Sequence, residues 1–359
     1  MKLQILFRVA GQLVAVAILA TTGPQTLRDA ANSRGIFISA AVRDYALPEA
    51  DYSATLGREY NMVEPENAMK WSTIRAKEGV FDFRDADVIV RFAQVHGMKV
   101  RGHCLVWDHD NPAWLEQGHF TPVELSHLIE EHIRTVMKHY AGQVLAWDVV
   151  NEGIDEKGHF RDSPWYNKPG IGLADKGSAY VEQVFRWAHE ADPHAWLFYN
   201  EAMAEGLDHK SDVVYAMVKD FKQRGVPIDG VGIQLHVPTL DIDTVPIAAN
   251  IKRLTALGVQ VHITELDVAL PVDASGAASG DDLQRQAEVY RRVVHACVQN
   301  PGCTAIQTWG FTDKYSWIRS HSHGTLGAGL PFDRDYRPKP AYDAIRQEIL
   351  SAPARVFPQ

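Results

Sequence analysis

Two apolar stretches of the chain end in carboxylates. The run "VLAWDVVNE" closes on Asn151 and Glu152, and "VQVHITELDV" closes on Glu265 and Asp267. Both read as buried strands, and a carboxylate at the end of a buried strand costs free energy unless something answers it. Glycoside hydrolysis supplies such an answer. One carboxylic acid protonates the leaving oxygen while the other carboxylate attacks or activates water, through an oxocarbenium-like transition state. Partial desolvation favours the neutral form of a carboxyl, which a proton donor needs near neutral pH, and Glu152 is read in that role.

The elements that would position such a pair follow from the period of the sequence. Strand-like runs begin at positions 35, 60, 98, 144, 195, 228, 259 and 304, with longer amphipathic segments between them. In "TPVELSHLIEEHIRTVMKHY", Thr121 can cap, Pro122 suits the first turn and Glu124 completes a capping box. Eight βα units in one chain predict an α/β fold, a closed (β/α)8 barrel, with an open doubly wound sheet as the alternative. No repeat of fixed period and no linker divides the chain. The stretch "PVDASGAASGDD" from Pro271 reads as a βα loop rather than a domain boundary.

Chemistry in such a barrel gathers at the C-terminal ends of its strands. There the sequence places Glu66, Asn67 and Lys70 after the second run, His103 and Trp107 after the third, and Asn151 and Glu152 after the fourth. Tyr199 and Asn200 follow the fifth, Gln234 and His236 the sixth, Glu265 and Asp267 the seventh, and Trp309 the eighth. Gln234 and His236 are two apart, which predicts one shared strand face, as for Glu265 and Asp267. Taken singly, His103 reads as a structural histidine, Trp107 and Trp317 as core, and Glu66 or Asp267 as a solvated loop residue. Their coincidence on one barrel face is what the bland readings do not predict. Indoles offer flat faces to the C–H face of a sugar ring, and amides, imidazoles and lysine bond its hydroxyls. Asn200 joins the expected sugar contacts on this reading.

Composition narrows the partners. The chain has 359 residues, 46% of them hydrophobic, and a formal charge of -9 with no basic stripe, so nucleic acid is an unsuitable partner. The first residues, "MKLQILFRVAGQLVAVAILATTG", set Lys2 and Arg8 before an apolar run, the pattern of a signal peptide over residues 1–22. The alternative is an uncleaved anchor, although the run is shorter than a bilayer span. Residues 23–359 then form one domain with no membrane span, secreted or periplasmic. Of three cysteines, Cys297 and Cys303 flank the turn "VQNPG" and are expected to pair in an exported protein; the alternative is two free core thiols.

Rival chemistries find little purchase. "HEADPH" at 189–194 is one residue too long for a zinc-protease helix, "GIGLAD" at 170–175 lacks the third glycine of a dinucleotide loop, and no G-x-S-x-G elbow occurs. "DHD" at 108–110 and "HSH" at 321–323 have ligand-like spacing but read as solvated loops. Nothing calls for a metal or another cofactor.

Taken in order, "ENAMKW", "RGHCLVW", "WDVVNE", "GIQLHV", "HITELDV", "TWGFTDKYSW" and "PKPAY" resemble glycoside hydrolase family 10, the β-1,4-xylanases, from about residue 35 to 350. The resemblance implies a (β/α)8 barrel acting with retention on xylan or xylo-oligosaccharides, with Glu152 as acid/base and Glu265 as nucleophile. It further implies that Glu66, Asn67, Lys70, His103, Trp107, Asn151, Gln234, His236, Trp309 and Trp317 line the sugar subsites. His236 would touch the nucleophile and Asp267 would hold the imidazole. The chain departs from the family pattern at Asp108, His109 and Asp110, and in the loop "IRSHSHGTLGAGLPFD". An endo-1,4-β-xylanase is therefore expected. The alternatives are an exo-acting or otherwise specialised β-glycosidase of the same family and, from another class, a non-catalytic xylan-binding barrel, which would lack one carboxylate.

Overall fold

The eight strand-like runs become the eight staves of a closed parallel barrel. The computed structural model describes residues 25–358 apart from Asp175; the segment 1–22 read as a signal peptide lies outside the described residues. The staves are β1 (Phe37–Val42), β2 (Met62–Pro65), β3 (Lys99–Val106), β4 (Ala146–Asn151), β5 (Trp196–Glu201), β6 (Gly230–Ile233), β7 (Gln260–Val268) and β8 (Cys303–Thr308). Each pairs with the next in parallel, and β8 returns to β1 with Phe37 opposite Ala305, which leaves no open edge.

Each stave is followed by a helix on the outside, from Ala50–Glu59 after β1 to Pro340–Ser351 after β8. The helix Pro122–His139 illustrates why these segments fold. Thr121 Oγ1 accepts from Glu124 N at 3.3 Å, and the Glu124 carboxylate accepts from Thr121 N at 2.8 Å. Leu125, Ile129, Ile133 and Val136 recur at helical spacing and are buried against the sheet.

The barrel's N-terminal mouth is stoppered by apolar residues at the strand starts. Phe37, Met62 and Ala305 cluster there with Leu145, Trp196 and Phe357, and the rings of Phe37 and Phe357 lie 4.8 Å apart. Higher in the barrel the filling turns polar. Arg101 stacks over the Phe198 ring at 4.5 Å, reaches Glu64 at 3.0 Å, pairs with Asp148 and donates to His262 Nδ1 at 2.7 Å. The interior thus changes from grease to fixed charge on the way to the face where strands end.

The sixth run differs from its expectation. Gln234 and His236 do not share a continuous strand: β6 stops at Ile233, and Leu235 turns with φ 66° before His236 and Val237 pair with Asp267 and Val268. The break swings both side chains into the site by a backbone turn rather than by strand alternation. The segment from Pro271 is a βα loop, as expected. Leu270–Pro271 pairs antiparallel with Leu326–Gly327, and Asp273 Oδ1 accepts from Ser275 N at 2.8 Å and Ala277 N at 3.0 Å. Cys297, near the end of helix Gly280–Val298, is bonded to Cys303 at the start of β8, and Cys104 is buried and free.

Candidate active site

Glu265 lies near the C-terminal end of β7, 4% exposed, between two donors. Asn200 Nδ2 donates to its Oε1 at 2.8 Å, and His236 Nε2 lies 3.1 Å from its Oε2. The other imidazole nitrogen, Nδ1, is 3.0 Å from Asp267 Oδ2, the oxygen that also accepts from Trp317 Nε1 at 2.7 Å. Burial disfavours a charged imidazole here, but the Asp267 and Glu265 carboxylates on its two nitrogens more than offset that and hold the His236 pKa well above the usual histidine range. His236 is accordingly an imidazolium that donates both ways.

Glu152 follows the last residue of β4 and is held by different groups. Gln234 Nε2 donates to its Oε1 at 2.8 Å and Trp107 Nε1 to its Oε2 at 3.3 Å. Its backbone adopts φ 53°, a left-handed conformation that is sterically costly for a residue with a side chain. The neighbours fix that conformation from both sides: Glu152 N donates to Asn200 O at 2.9 Å, and Arg161 Nε donates to Glu152 O at 3.2 Å. Gly153, next in line, leaves room for a neighbour: a Cβ there would meet the Tyr180 hydroxyl at 2.9 Å and force it to shift.

Asn200 joins the two halves. Its Nδ2 donates to Asn151 Oδ1 as well as to Glu265, both at 2.8 Å, and its Oδ1 accepts from Thr264 Oγ1 at 2.7 Å. A Cβ on Gly232 would lie 2.1 Å from that oxygen, so the glycine makes room for the amide. Asn200 is 0% exposed and spends its amide on protein partners. It is a strut behind the site. Asn151 keeps its carbonyl for Asn200 and Gln234, and its Nδ2 has no protein partner among the described residues.

The remaining expected residues close around the two carboxyls. Trp309 stands edge-on to His103 at 5.3 Å and to His236 at 6.3 Å. Lys70 Nζ lies 4.8 Å from the Trp107 ring centre and 5.9 Å from that of Trp309, and it donates to Asn67 Oδ1 at 3.0 Å. Glu66 is held by Arg43, whose Nε and Nη2 each reach a carboxylate oxygen at 2.7 Å. Trp317, His236 and Asp267 form the unit already described.

Several supporting residues escape a reading by strand ends alone. Asp148, mid-strand in β4, fixes His103 by accepting at Oδ2 from its Nδ1 at 3.0 Å, which leaves Nε2 for the cleft. Burial disfavours the Asp148 charge, but Arg101 and His103 outweigh it and hold the carboxyl below its ordinary range. Glu64 goes the other way: burial and the Asp148 charge push it well above that range, with Arg101 working against them. Glu201, behind the site, is raised by burial to about 7 although Lys210 Nζ lies 2.9 Å away. Unlike charges at interior-facing positions of neighbouring strands, Glu64, Arg101 and Asp148, are a signal that could have revealed this layer. Among the described residues Glu64, His103 and Asp148 have the spacing of metal ligands, but the Arg101 guanidinium already occupies the place of the cation.

Comparison with known proteins gives a consistent result. The family model described as Glycosyl hydrolase family 10 matches residues 26–348. Endo-1,4-beta-xylanase B of Thermotoga neapolitana is 40% identical over 340 residues, covering 93% of this chain and 95% of that protein. The crystal structure of native xylanase 10B from Thermotoga maritima superposes with a TM-score of 0.84 at 40% identity, covering 90% of this chain and 98% of that one. Xylanase 10B from Thermotoga petrophila RKU-1, in complex with xylobiose, gives 0.84 at 38% identity over 94% and 98% of the two chains. The chain belongs to glycosyl hydrolase family 10.

Proposed function

We propose that this member of family 10 is a retaining endo-1,4-β-xylanase, which cuts internal β-1,4-xylosidic bonds of xylan by double displacement. The observation that carries the proposal is the contrast between the two carboxyls. Glu265 has one oxygen on an imidazole and the other on an amide, which hold it in place to attack; Glu152 has one amide and one indole donor and, among the described residues, no cation on its oxygens.

In the first step Glu265 attacks the anomeric carbon while Glu152 gives its proton to the departing oxygen. In the second, Glu152 takes a proton from water, which displaces Glu265. His236 loses its ion-pair partner when Glu265 becomes an ester and regains it on release, while Asp267 keeps the ring in place throughout. Asn151, through its free Nδ2, and His103, through Nε2, are assigned to sugar hydroxyls, and Trp107, Trp309 and Trp317 to the ring faces and edges. Glu66, Asn67 and Lys70 extend the cleft on the β2 side.

Residues 23–359 are assigned to one catalytic domain and residues 1–22 to a signal peptide, which makes the protein secreted or periplasmic. The Cys297–Cys303 bond supports an oxidising compartment. Among the described residues no helix is long and apolar enough to cross a membrane. The deciding experiment is hydrolysis of a soluble xylan followed by proton NMR, with Glu265→Ala as control. First-formed β-xylo-oligosaccharides from the parent and none from the variant are expected; first-formed α products would refute the assignment of Glu265.

A further inference from the structure

Beyond Glu66, linked to it through Arg43, stands an aromatic ring that the catalytic reading does not use. Tyr45 lies in the short turn Asp44–Ala46 directly after β1, on the face where strands end. Among the described residues it is the one exposed ring of the Phe, Tyr and Trp type, at 60%. One exposed ring is ordinary on a protein surface; the way this one is held sets it apart.

The ring is also held, rather than merely left outside. Arg43 Nη1 donates to the Tyr45 hydroxyl at 2.6 Å, while Arg43 Nε and Nη2 hold Glu66 at 2.7 Å each. The backbone supports the same link, since Glu66 N donates to Val42 O at 2.9 Å. Tyr315 backs the ring edge-on, with centroids 6.1 Å apart, and is itself anchored through its hydroxyl to Glu49 at 2.7 Å. A single chain of contacts therefore runs outward from the sugar cleft to an exposed, pre-positioned ring.

Resting on the xylanase reading above, we propose that Tyr45 is the platform of one further sugar-binding subsite, at the end of the cleft beyond Glu66. Its ligand is a neutral xylosyl ring of the same β-1,4-linked chain, stacked by its C–H face on the phenol. Neutrality follows from the electrostatics: the Arg43 guanidinium is already committed to Glu66 and the Tyr45 hydroxyl, so it is not free to pair with an acidic substituent. Only a chain long enough to pass Glu66 can reach the ring, so the subsite selects length.

The test compares parent, Tyr45→Ala and Tyr45→Phe on xylohexaose and on an aryl β-xylobioside. Loss of one stacking contact should lower kcat/KM for xylohexaose roughly three- to tenfold in Tyr45→Ala, mainly through KM, with the xylobioside serving as the internal reference. The bond cut in end-labelled xylohexaose should shift as well. Tyr45→Phe keeps the ring and should stay near the parent. A parallel loss on both substrates, or in both variants, would make Tyr45 a support for Arg43 and Glu66 and overturn the proposal. Parent-like kinetics of Tyr45→Ala on xylohexaose would overturn it equally. If the parent itself does not cut xylohexaose, the xylanase reading has failed instead.

Discussion

His236 Nε2 lies 3.1 Å from Glu265 Oε2, and this contact couples the charge of the nucleophile to that of an imidazole. The far side of the ring is tied to Asp267 at 3.0 Å, and Trp317 ties Asp267 in turn. A buried carboxylate thereby bears on the imidazole that touches the nucleophile.

Asp267→Asn should remove the main support of the imidazolium. With burial then unopposed on that side, His236 loses its proton at lower pH and Glu265 loses a charged donor, so kcat should fall about 10- to 100-fold. The sign for stability follows from linkage. His236 is raised in the fold, so its contribution is complete below the unfolded histidine pKa of about 6.5 and is lost as pH rises through the folded value. Calorimetry from pH 6 to 10 should find the alkaline loss of Tm in the parent at higher pH than in Asp267→Asn. Coincident curves would mean that His236 is not the group responsible.

Glu152→Ala should spare the first step for substrates with good leaving groups, because only poor leaving groups need protonation. The variant should therefore lose far more activity on xylan than on aryl xylobiosides. Azide, small enough to enter where the carboxyl was and needing no base, should restore turnover and yield a β-glycosyl azide. Equal losses on both substrates and no response to azide would remove Glu152 from the acid/base role.

The residues legible in the sequence were those that break a pattern. Glu152 and Glu265 stand out because each ends a β-branched run, and the barrel itself follows from eight such runs. Asn200 was visible for the same reason, yet strand-end position could not tell an amide that faces sugar from one that braces two neighbours. That distinction depends on Gly232 of the adjacent strand, which opens the space the amide fills. Gln234 and His236 were found by spacing, but they converge through the turn at Leu235 rather than along a strand. Arg101, Asp148 and Glu64 stayed hidden inside their runs. Their chemistry is pairwise across strands, and a linear reading sees each as a lone polar interruption.

The Cys297–Cys303 bond closes a loop with a sequence separation of 6, which in the chain-entropy model contributes about 2 kcal/mol. The intact protein should be two protons light by mass, with Cys104 alone alkylated after unfolding without reductant. Cys297→Ser with Cys303→Ser should lower Tm by several degrees without changing kcat, because the bond ties the helix Gly280–Val298 to β8 at the end of the barrel opposite the site. Three alkylatable thiols in the unreduced protein would contradict the pairing.

Asp108 and Asp110 part company in the structure, and the difference makes a last prediction. Asp108 is partly buried in a small pocket that Glu152, Arg161 and Tyr180 also line, and its Oδ1 has no hydrogen-bond partner among the described residues. His109 and Arg161 each approach it at 3.8 Å. Burial raises its pKa above the ordinary aspartate range, with His109 and Arg161 working against that and the Glu152 charge working with it. Asp110 makes no hydrogen bond through its side chain among the described residues and serves as the control. A charged Asp108 sets a negative charge beside the acid/base carboxyl, in a pocket partly closed to water. Asp108→Asn removes that field. The alkaline limb of kcat/KM should then move to lower pH by a fraction of a unit or more, while the acid limb stays in place. Asp110→Asn should leave both limbs where they are. An unmoved alkaline limb in Asp108→Asn would mean that Arg161 and His109 already cancel the aspartate, and that its part is confined to holding Arg161 against the backbone of Glu152.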